Sequence, residues 1–413
     1  MEKKKILIFN YFMYIGGAER ALLGLLNAID YTKYDVDLFL AMHVGEFMTH
    51  IPKEVNLLPE DSRYAGYACP LRKVLFSKNF MIGLARLKAK RKYRTYIKNK
   101  GVNESASSFQ YVVKEMMPYL PEINPQQEYD LAISFIAPHN IVAEKVRARK
   151  KICWIHTDYS VVDVNAEFEL PVWSTFDHII SISQDVTKTF LQVFPSLSNK
   201  IVEMENILSP VFVRSCANEF DVTPELYQTG DCKSVIKLLS IGRFSYQKNF
   251  ENVPDICQRI NMMLNENEDE NEKFSIRWYI IGFGGDEQLI RQRIEEAGMQ
   301  EHVIILGKKS NPYPYIKACD IYVQPSRYEG KSVTVREAQM LCKPVVVTNY
   351  PTANSQILDG IDGKIVPMDN EGCAHGIVEF ILNTELQAQI TEYLKTHDYG
   401  NESEVHKIEL LLN

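Results

Sequence analysis

Two carboxylates, Glu329 and Glu337, stand eight residues apart in ACDIYVQPSRYEGKSVTVREAQMLCKPVVVTN, Ala318 to Asn349. Ile321 to Val323 read as a buried strand, Pro325 and Ser326 as its exit, and Val333 to Leu341 as a helix whose first amides lack intrahelical partners. Those amides and the helix dipole suit a phosphate. A carboxylate beside such a helix cannot neutralise a phosphate, but it accepts hydrogen bonds from sugar hydroxyls. Glu337, one turn past Val333, can grip a vicinal diol. Phosphate and sugar together point to a nucleotide-sugar.

A second group precedes it. In LLSIGRFSYQKNFENVPDI, Gly242 ends a strand, and Arg243 and Lys248 lie five residues apart in the next loop. Carboxyl ends of parallel strands are where such sheets bind ligands, and two cations there can hold a pyrophosphate and stabilise it as it leaves. Alone, the pair reads as surface cations; beside Glu329 it reads as a site. Gly282, Gly284 and Gly285 in IGFGGDEQL fail the dinucleotide fingerprint, because Glu287 holds its third glycine position. They read as a tight strand-to-helix turn approached closely by a ligand. Gly16 and Gly17 in YIGGAERAL admit both a close-approach backbone at a helix N-terminus and a plain turn, with Glu19 and Arg20 solvated. His156, after the strand KKICWI, stands at a carboxyl strand end; a structural histidine and a hydrogen-bonding group near a reacting sugar are equally consistent with it.

The elements that must position these groups alternate strand and helix twice. The first series is Lys5 to Asn10, helix Ala18 to Ile29, Val36 to Met42, Leu131 to Ile136, Lys151 to Ile155, Ile179 to Ser183 and Ile201 to Glu203. The second is strand Lys237 to Ile241, helix Asn249 to Leu264, strand Ser275 to Ile281, helix Glu287 to Glu296, then strands at Val303 to Leu306, Ile321 to Val323 and Val345 to Val347. Alternation of this kind predicts α/β architecture with two doubly wound parallel sheets. Ser209 to Ser234 reads as the linker and Asn265 to Lys273 as a solvated loop. The last helix, about Glu402 to Leu412, is apolar on one side and needs another surface to cover it.

Length supports two cores: 413 residues are too many for one. No apolar run reaches transmembrane length, and the start MEKKKILIFNYF enters a strand directly, so a cytoplasmic protein is expected. Eight cysteines without a C-x-x-C pair support neither zinc nor a disulfide framework and read as small buried hydrophobes. Asp35-Val36-Asp37 reads as surface, and no metal or other cofactor is expected. The net charge of −7 hides an asymmetry, since Leu71 to Lys100 carries eleven Lys/Arg and no Asp/Glu, leaving −18 on the rest. Phe80, Leu84 and Leu87, continued by Tyr93, Tyr96 and Ile97, make a basic amphipathic helix or helix pair. A solvated basic face, a membrane contact and a nucleic-acid contact compete for this segment. Bulky apolar residues among Arg86, Lys88, Lys90, Arg91, Lys92 and Arg94, with no nucleic-acid motif nearby, favour an anionic membrane surface.

The set GGAER, WIH, SISQ, Glu205-Asn206, GRFSYQKN, IIGFGGDEQL, ILG, ACDIYVQPS and EGKSVTVREA, in this order, resembles family-four retaining glycosyltransferases of the GT-B fold, over nearly the whole chain. Within that family it is most similar to bacterial transferases of capsule, exopolysaccharide or O-antigen assembly. The resemblance implies an acceptor-binding domain over 1–210, a nucleotide-sugar-binding domain over 211–399, and a helix at about 400–413 packing back on the first. By position, Arg243 and Lys248 bind the donor diphosphate, Glu329 the transferred sugar and Glu337 the ribose; the backbone amides of Gly330, Lys331, Ser332 and Val333 face sugar and phosphate, Gly16 and Gly17 border the acceptor and diphosphate, and His156 lies near the donor sugar. It further implies transfer of a hexose or N-acetylhexosamine from a UDP-sugar to a polyprenyl-diphosphate-linked saccharide, with retained configuration, by a protein peripheral on the inner face of the plasma membrane. Lys331 departs from the family's usual Phe, and Ser209 stands where an Asp is common. A non-catalytic scaffold that binds nucleotide-sugars or a GT-B epimerase are the alternatives.

Overall fold

The computed structural model describes residues 3–14, 16–102, 105–160, 162–226, 235–265, 275–330 and 332–412. The chain divides into two compact units, Met1–Ile207 with Asn401–Asn413, and Leu208–Gly400.

The first unit holds seven strands: β1 (Lys4–Asn10), β2 (Tyr34–Leu40), β3 (Asn56–Leu57), β4 (Tyr129–Ser134), β5 (Ala148–Ile155), β6 (His178–Ser181) and β7 (Ile201–Glu203), all parallel, in the order β3-β2-β1-β4-β5-β6-β7. Ile6 to Asn10 are buried without a break because helices cover both sheet faces, which is why the strand reads as one apolar run instead of an alternating one. The second unit is built likewise from β8 (Val235–Ile241), β9 (Ser275–Ile281), β10 (Val303–Gly307), β11 (Ile321–Gln324), β12 (Val345–Thr348) and β13 (Lys364–Val366), in the order β10-β9-β8-β11-β12-β13. In each sheet the first strand is central, so the loops leaving β1 and β8 reach the middle of a carboxyl edge.

Several expectations need correction. The described part of the expected linker, Ser209 to Leu226, is packed structure: Ser209 caps the helix Pro210–Cys216, whose Phe212, Val213 and Cys216 are buried against the Tyr313–Ala318 and Val333–Met340 helices. Residues 227–234 lie outside the described ones, as do 266–273 of the expected solvated loop. The helix expected from Asn249 begins at Val253, because Asn249 takes a left-handed φ of 60° and separates two short 3-10 turns from the Val253–Asn265 helix. β3 and β13, of two and three residues, are too short to show periodicity.

The basic segment forms helices Leu71–Leu75 and Phe80–Lys100. The longer one buries Ile82, Gly83, Ala85 and Ala89 and packs on both the Leu71–Leu75 and Ser108–Met116 helices; a Cβ on Gly83 would lie 2.6 Å from Leu75 Cδ2. Five of the seven described cysteines are buried. Among the described residues no helix is long and apolar enough to cross a membrane.

Candidate functional site

The loops after β8 and β11 meet because these strands are neighbours. They bring Lys248 and Glu329 together, with Nζ 2.5 Å from Oε1 and side chains only 15% and 6% exposed. The same oxygen accepts from Ser326 Oγ at 2.6 Å and faces Gln324 Nε2 at 3.3 Å, whereas Oε2 has a single long contact to Gln247 Nε2 at 3.3 Å. Among the described residues Oε1 has three donors and Oε2 keeps room for hydroxyl donors. Thr352 Oγ1 donates to the Glu329 carbonyl at 2.7 Å, so main chain and side chain are both fixed. Gln247, Gln324 and Thr352 were not singled out in the sequence, and Ser326 was read only as the exit of its strand. A polar Gln-Pro-Ser exit from an apolar strand was the one available sign of them.

Arg243, from the same β8 loop, is exposed, and its guanidinium has no partner among the described residues. Lys248 is the engaged cation and Arg243 the open one. Gly242 accommodates the lysine: a Cβ there would lie 3.0 Å from Lys248 Cε. The glycines after β9 have a different reason from the one expected. A Cβ on Gly282 would lie 1.9 Å from the Gly242 carbonyl oxygen, and one on Gly284 would lie 2.3 Å from that of Phe244. Phe244 N–H also donates to the Phe283 carbonyl at 2.9 Å. What approaches Gly282 and Gly284 is the backbone of the Arg243 loop, which they hold in place.

The Val333–Met340 helix starts at Ser332 with no side-chain cap. Gln356 brackets that residue instead, accepting from its N–H at 3.0 Å and donating to its carbonyl at 2.6 Å, so the backbone turn is fixed without a side-chain cap on the amides that follow. Val333 is exposed, and space around Gly330 is open. Glu337, expected to hold a diol, is fully buried and accepts from the Tyr313 hydroxyl at 2.7 Å. Lys331 lies outside the described residues.

In the first unit, Gly16 is the N-cap of the Gly17–Ala28 helix, and a Cβ on it would lie 2.1 Å from Glu19 Oε2. Glu19 is therefore not solvated; it is buried over the helix start, and burial raises its pKa. Gly17 meets nothing within 4 Å. His156 follows β5 with its ring 4.8 Å from Phe135 and its Nε2 buried without a partner among the described residues. Burial pushes its pKa down to about 4, so it is a neutral hydrogen-bonding group at pH 7. His139, beyond neighbouring β4, was passed over in the sequence. It is buried, with Nδ1 2.8 Å from Ser134 Oγ, an Nε2 without a partner among the described residues, and a pKa depressed to about 3, first by burial and then by His156. Its place after a strand adjacent to that of His156 was the sign.

The expected membrane-facing residues divide. Arg86 turns inward and donates to the Gly66 and Cys69 carbonyls at 2.8 and 2.5 Å; Lys88 and Lys92 both grip Glu115. Of the expected outward set, Arg86 is the one that turns in; Lys88 and Lys92 stay 65% and 52% exposed while paired with this acidic residue of the next helix. Lys90, Arg91 and Arg94 are exposed and, with Leu87, Thr95 and Lys98, line a shallow groove of about 420 Å³. Phe80, Leu84 and Leu87 precede them at 49%, 47% and 43% exposure.

Residues 230–397, nearly the whole second unit, match the family described as glycosyl transferases group 1. The chain is similar to the amylovoran biosynthesis glycosyltransferase AmsD of Erwinia amylovora, 20% identical over 353 residues that cover 84% of this chain and 94% of that one. It is also similar to the N-acetylgalactosamine-N,N'-diacetylbacillosaminyl-diphospho-undecaprenol 4-alpha-N-acetylgalactosaminyltransferase of Campylobacter jejuni, 27% identical over 135 residues, 32% of this chain and 34% of that one. Among solved structures, HepE of Anabaena in complex with UDP superposes with a TM-score of 0.58 at 15% identity, covering 99% of both chains. At that identity the likeness shows the fold, two Rossmann-like parallel-sheet domains of GT-B type.

Proposed function

The chain is a GT-B glycosyltransferase whose second unit is of the group 1 family, and from that premise we propose that it moves a hexose or N-acetylhexosamine from a UDP-sugar to a lipid-linked saccharide in bacterial surface polysaccharide synthesis. The observation that carries this is the Lys248–Glu329 pair beside the open guanidinium of Arg243 and the uncapped Val333–Met340 helix. The helix amides and Arg243 take the diphosphate. Lys248 shares its charge between Glu329 and the phosphate that leaves. Glu329 Oε2 accepts from the hydroxyls of the transferred sugar and fixes its ring. In a front-face substitution the departing phosphate oxygen takes the acceptor proton, so configuration is retained. The family resemblance assigns neutral His156 to the sugar as a hydrogen-bonding partner.

The uridine nucleotide is chosen because HepE, of like fold, was solved with UDP, and the diphosphate-lipid acceptor because the Campylobacter relative is named for one. The exposed apolar and basic face of the Phe80–Lys100 helix suits the membrane surface where such an acceptor sits. The deciding experiment is a thermal-shift panel with UDP, GDP, ADP, CMP and NAD. Ligand at about 100 times its dissociation constant adds roughly 2.7 kcal/mol. Stabilisation by UDP, lost in Arg243→Ala, is expected. No response to any nucleoside diphosphate would sink the donor-site reading.

A further inference from the structure

The loops that turn Lys248 and Glu329 inward turn Tyr246 and Tyr328 outward, 65% and 52% exposed. Both line an open groove of about 640 Å³ in the second unit, floored by Asn249, Asn252, Met368 and Asn370. Tyr246 is held in place. The Arg327 guanidinium lies 4.0 Å from the ring centroid, and its Nη1 donates to the Tyr246 carbonyl at 2.5 Å and pairs with Glu251 at 2.7 Å. One ring face is stacked and ordered, while the side chain stays mostly open. A tyrosine fixed in this way gives up little entropy when something packs on it.

The amides on the floor are oriented as well. Asn252 Nδ2 donates to Asn249 Oδ1 at 2.6 Å, and Asn370 Nδ2 to Asp255 Oδ2 at 2.7 Å, leaving Asn252 Oδ1 and Asn370 Oδ1 as acceptors without a partner among the described residues. Arg327 is neutralised by Glu251, and Asp369, which caps the next helix through Gly372 N–H, adds a negative charge at the rim. Acidic polymers are disfavoured there. An aromatic face beside planar amide acceptors suits a pyranose, whose C–H face packs on the ring while its hydroxyls donate to the amides.

We propose that this groove binds a neutral oligosaccharide, stacked on Tyr246 and Tyr328 and hydrogen-bonded to Asn252 and Asn370, at a site separate from the one that takes the nucleotide-sugar. The enzyme then holds a sugar chain on the second unit beyond the residue it transfers.

The test is saturation-transfer NMR on the full chain with maltotetraose, cellotetraose, chitotetraose and mannotetraose as probes. Transfer to pyranose ring protons is expected for at least one probe, falling fivefold or more in Tyr246→Ala and in Tyr328→Ala and persisting in Tyr246→Phe. Thermal stabilisation by UDP, measured on the same variants, reports folding and donor binding independently of the groove. The proposal is overturned if no probe receives saturation, if both alanine variants match the wild type, or if UDP displaces the oligosaccharide and so places it in the donor site.

Discussion

Glu329 spends one oxygen on Lys248 and Ser326 and leaves the other with a long contact to Gln247, and under the proposed function that asymmetry separates stability from turnover at a single carboxylate. Removing one member of a buried ion pair leaves the other charge uncompensated, at a cost of about 3 kcal/mol or more. Lys248→Ala should therefore destabilise the fold by roughly that amount, and Glu329→Gln on top of it should recover most of the loss. Additive effects in urea unfolding of the two single variants and the double would mean that the pair carries no such coupling. For Glu329→Gln alone, UDP should still stabilise the protein while turnover falls on the order of a hundredfold, the loss seen when one pre-oriented polar group is removed from a reacting centre. The buried histidines add a pH dependence. Their folded pKa values, about 3 for His139 and about 4 for His156, lie below the free value of 6.5. Between those limits the unfolded chain binds protons that the native one does not, so stability is lost as pH falls from 6.5. At pH 5 each histidine costs about 2 kcal/mol relative to pH 7. His139→Gln should flatten that slope by about one histidine's share in urea unfolding at the two pH values, and an unchanged slope would show that His139 titrates normally.

The Phe80–Lys100 helix shows what an element adds to residues of the right type. Charge counting found the segment and its Phe80, Leu84, Leu87 stripe, which the fold leaves exposed. Sequence could not say which cations are spoken for, because Glu115 approaches from a separate helix only after folding. The distinction can be measured. Lys90, Arg91, Arg94 and Lys98 face outward, and about 1 kcal/mol per cation near an anionic surface makes the loss of all four cost roughly three orders of magnitude in partitioning, with repulsion added when they are reversed to Glu. Flotation with phosphatidylglycerol vesicles should be abolished in that Glu variant and weakened by salt. Lys88→Gln with Lys92→Gln should float normally and lose a little stability instead. Equal flotation of the four-charge variant and wild type would end the membrane reading of this face. The donor loops tell the same story. Arg243, Lys248 and Glu329 were legible as residue types at strand ends, but the pairing of Lys248 with Glu329 follows from β8 and β11 being neighbours, which strand order and not sequence decides. Gly282 and Gly284 were legible as glycines that something must approach. That the something is the Arg243 loop was not.

At the scale of the molecule, alternation of strand and helix was enough to predict two parallel sheets, because strands buried on both faces and helices of amphipathic period leave few other arrangements. The discontinuity of the first unit was harder, since nothing local in the last helix names the surface that covers it. The structure answers with specific bonds. Lys150 Nζ donates to the Leu411 carbonyl at 2.9 Å, Glu205 N–H to Glu404 at 2.9 Å and Asn401 Nδ2 to the Asn206 carbonyl at 3.1 Å, while Val405, Ile408 and Leu412 are buried. Three such side chains contribute about 5 kcal/mol, near the low end of area-based values, which is comparable with the whole stability of a domain of this size. A chain ending at Gly400 should therefore lose the first unit's cooperative unfolding transition, or show it at a much lower temperature. The second unit contains Arg243, Lys248 and Glu329 within Leu208–Gly400 and should keep its transition. Scanning calorimetry with and without UDP separates the two, because the nucleotide should raise only the transition that survives truncation. If truncation removed the UDP response, or if both transitions fell together, the nucleotide site would depend on the first unit, and its assignment to the loops after β8 and β11 alone would fail.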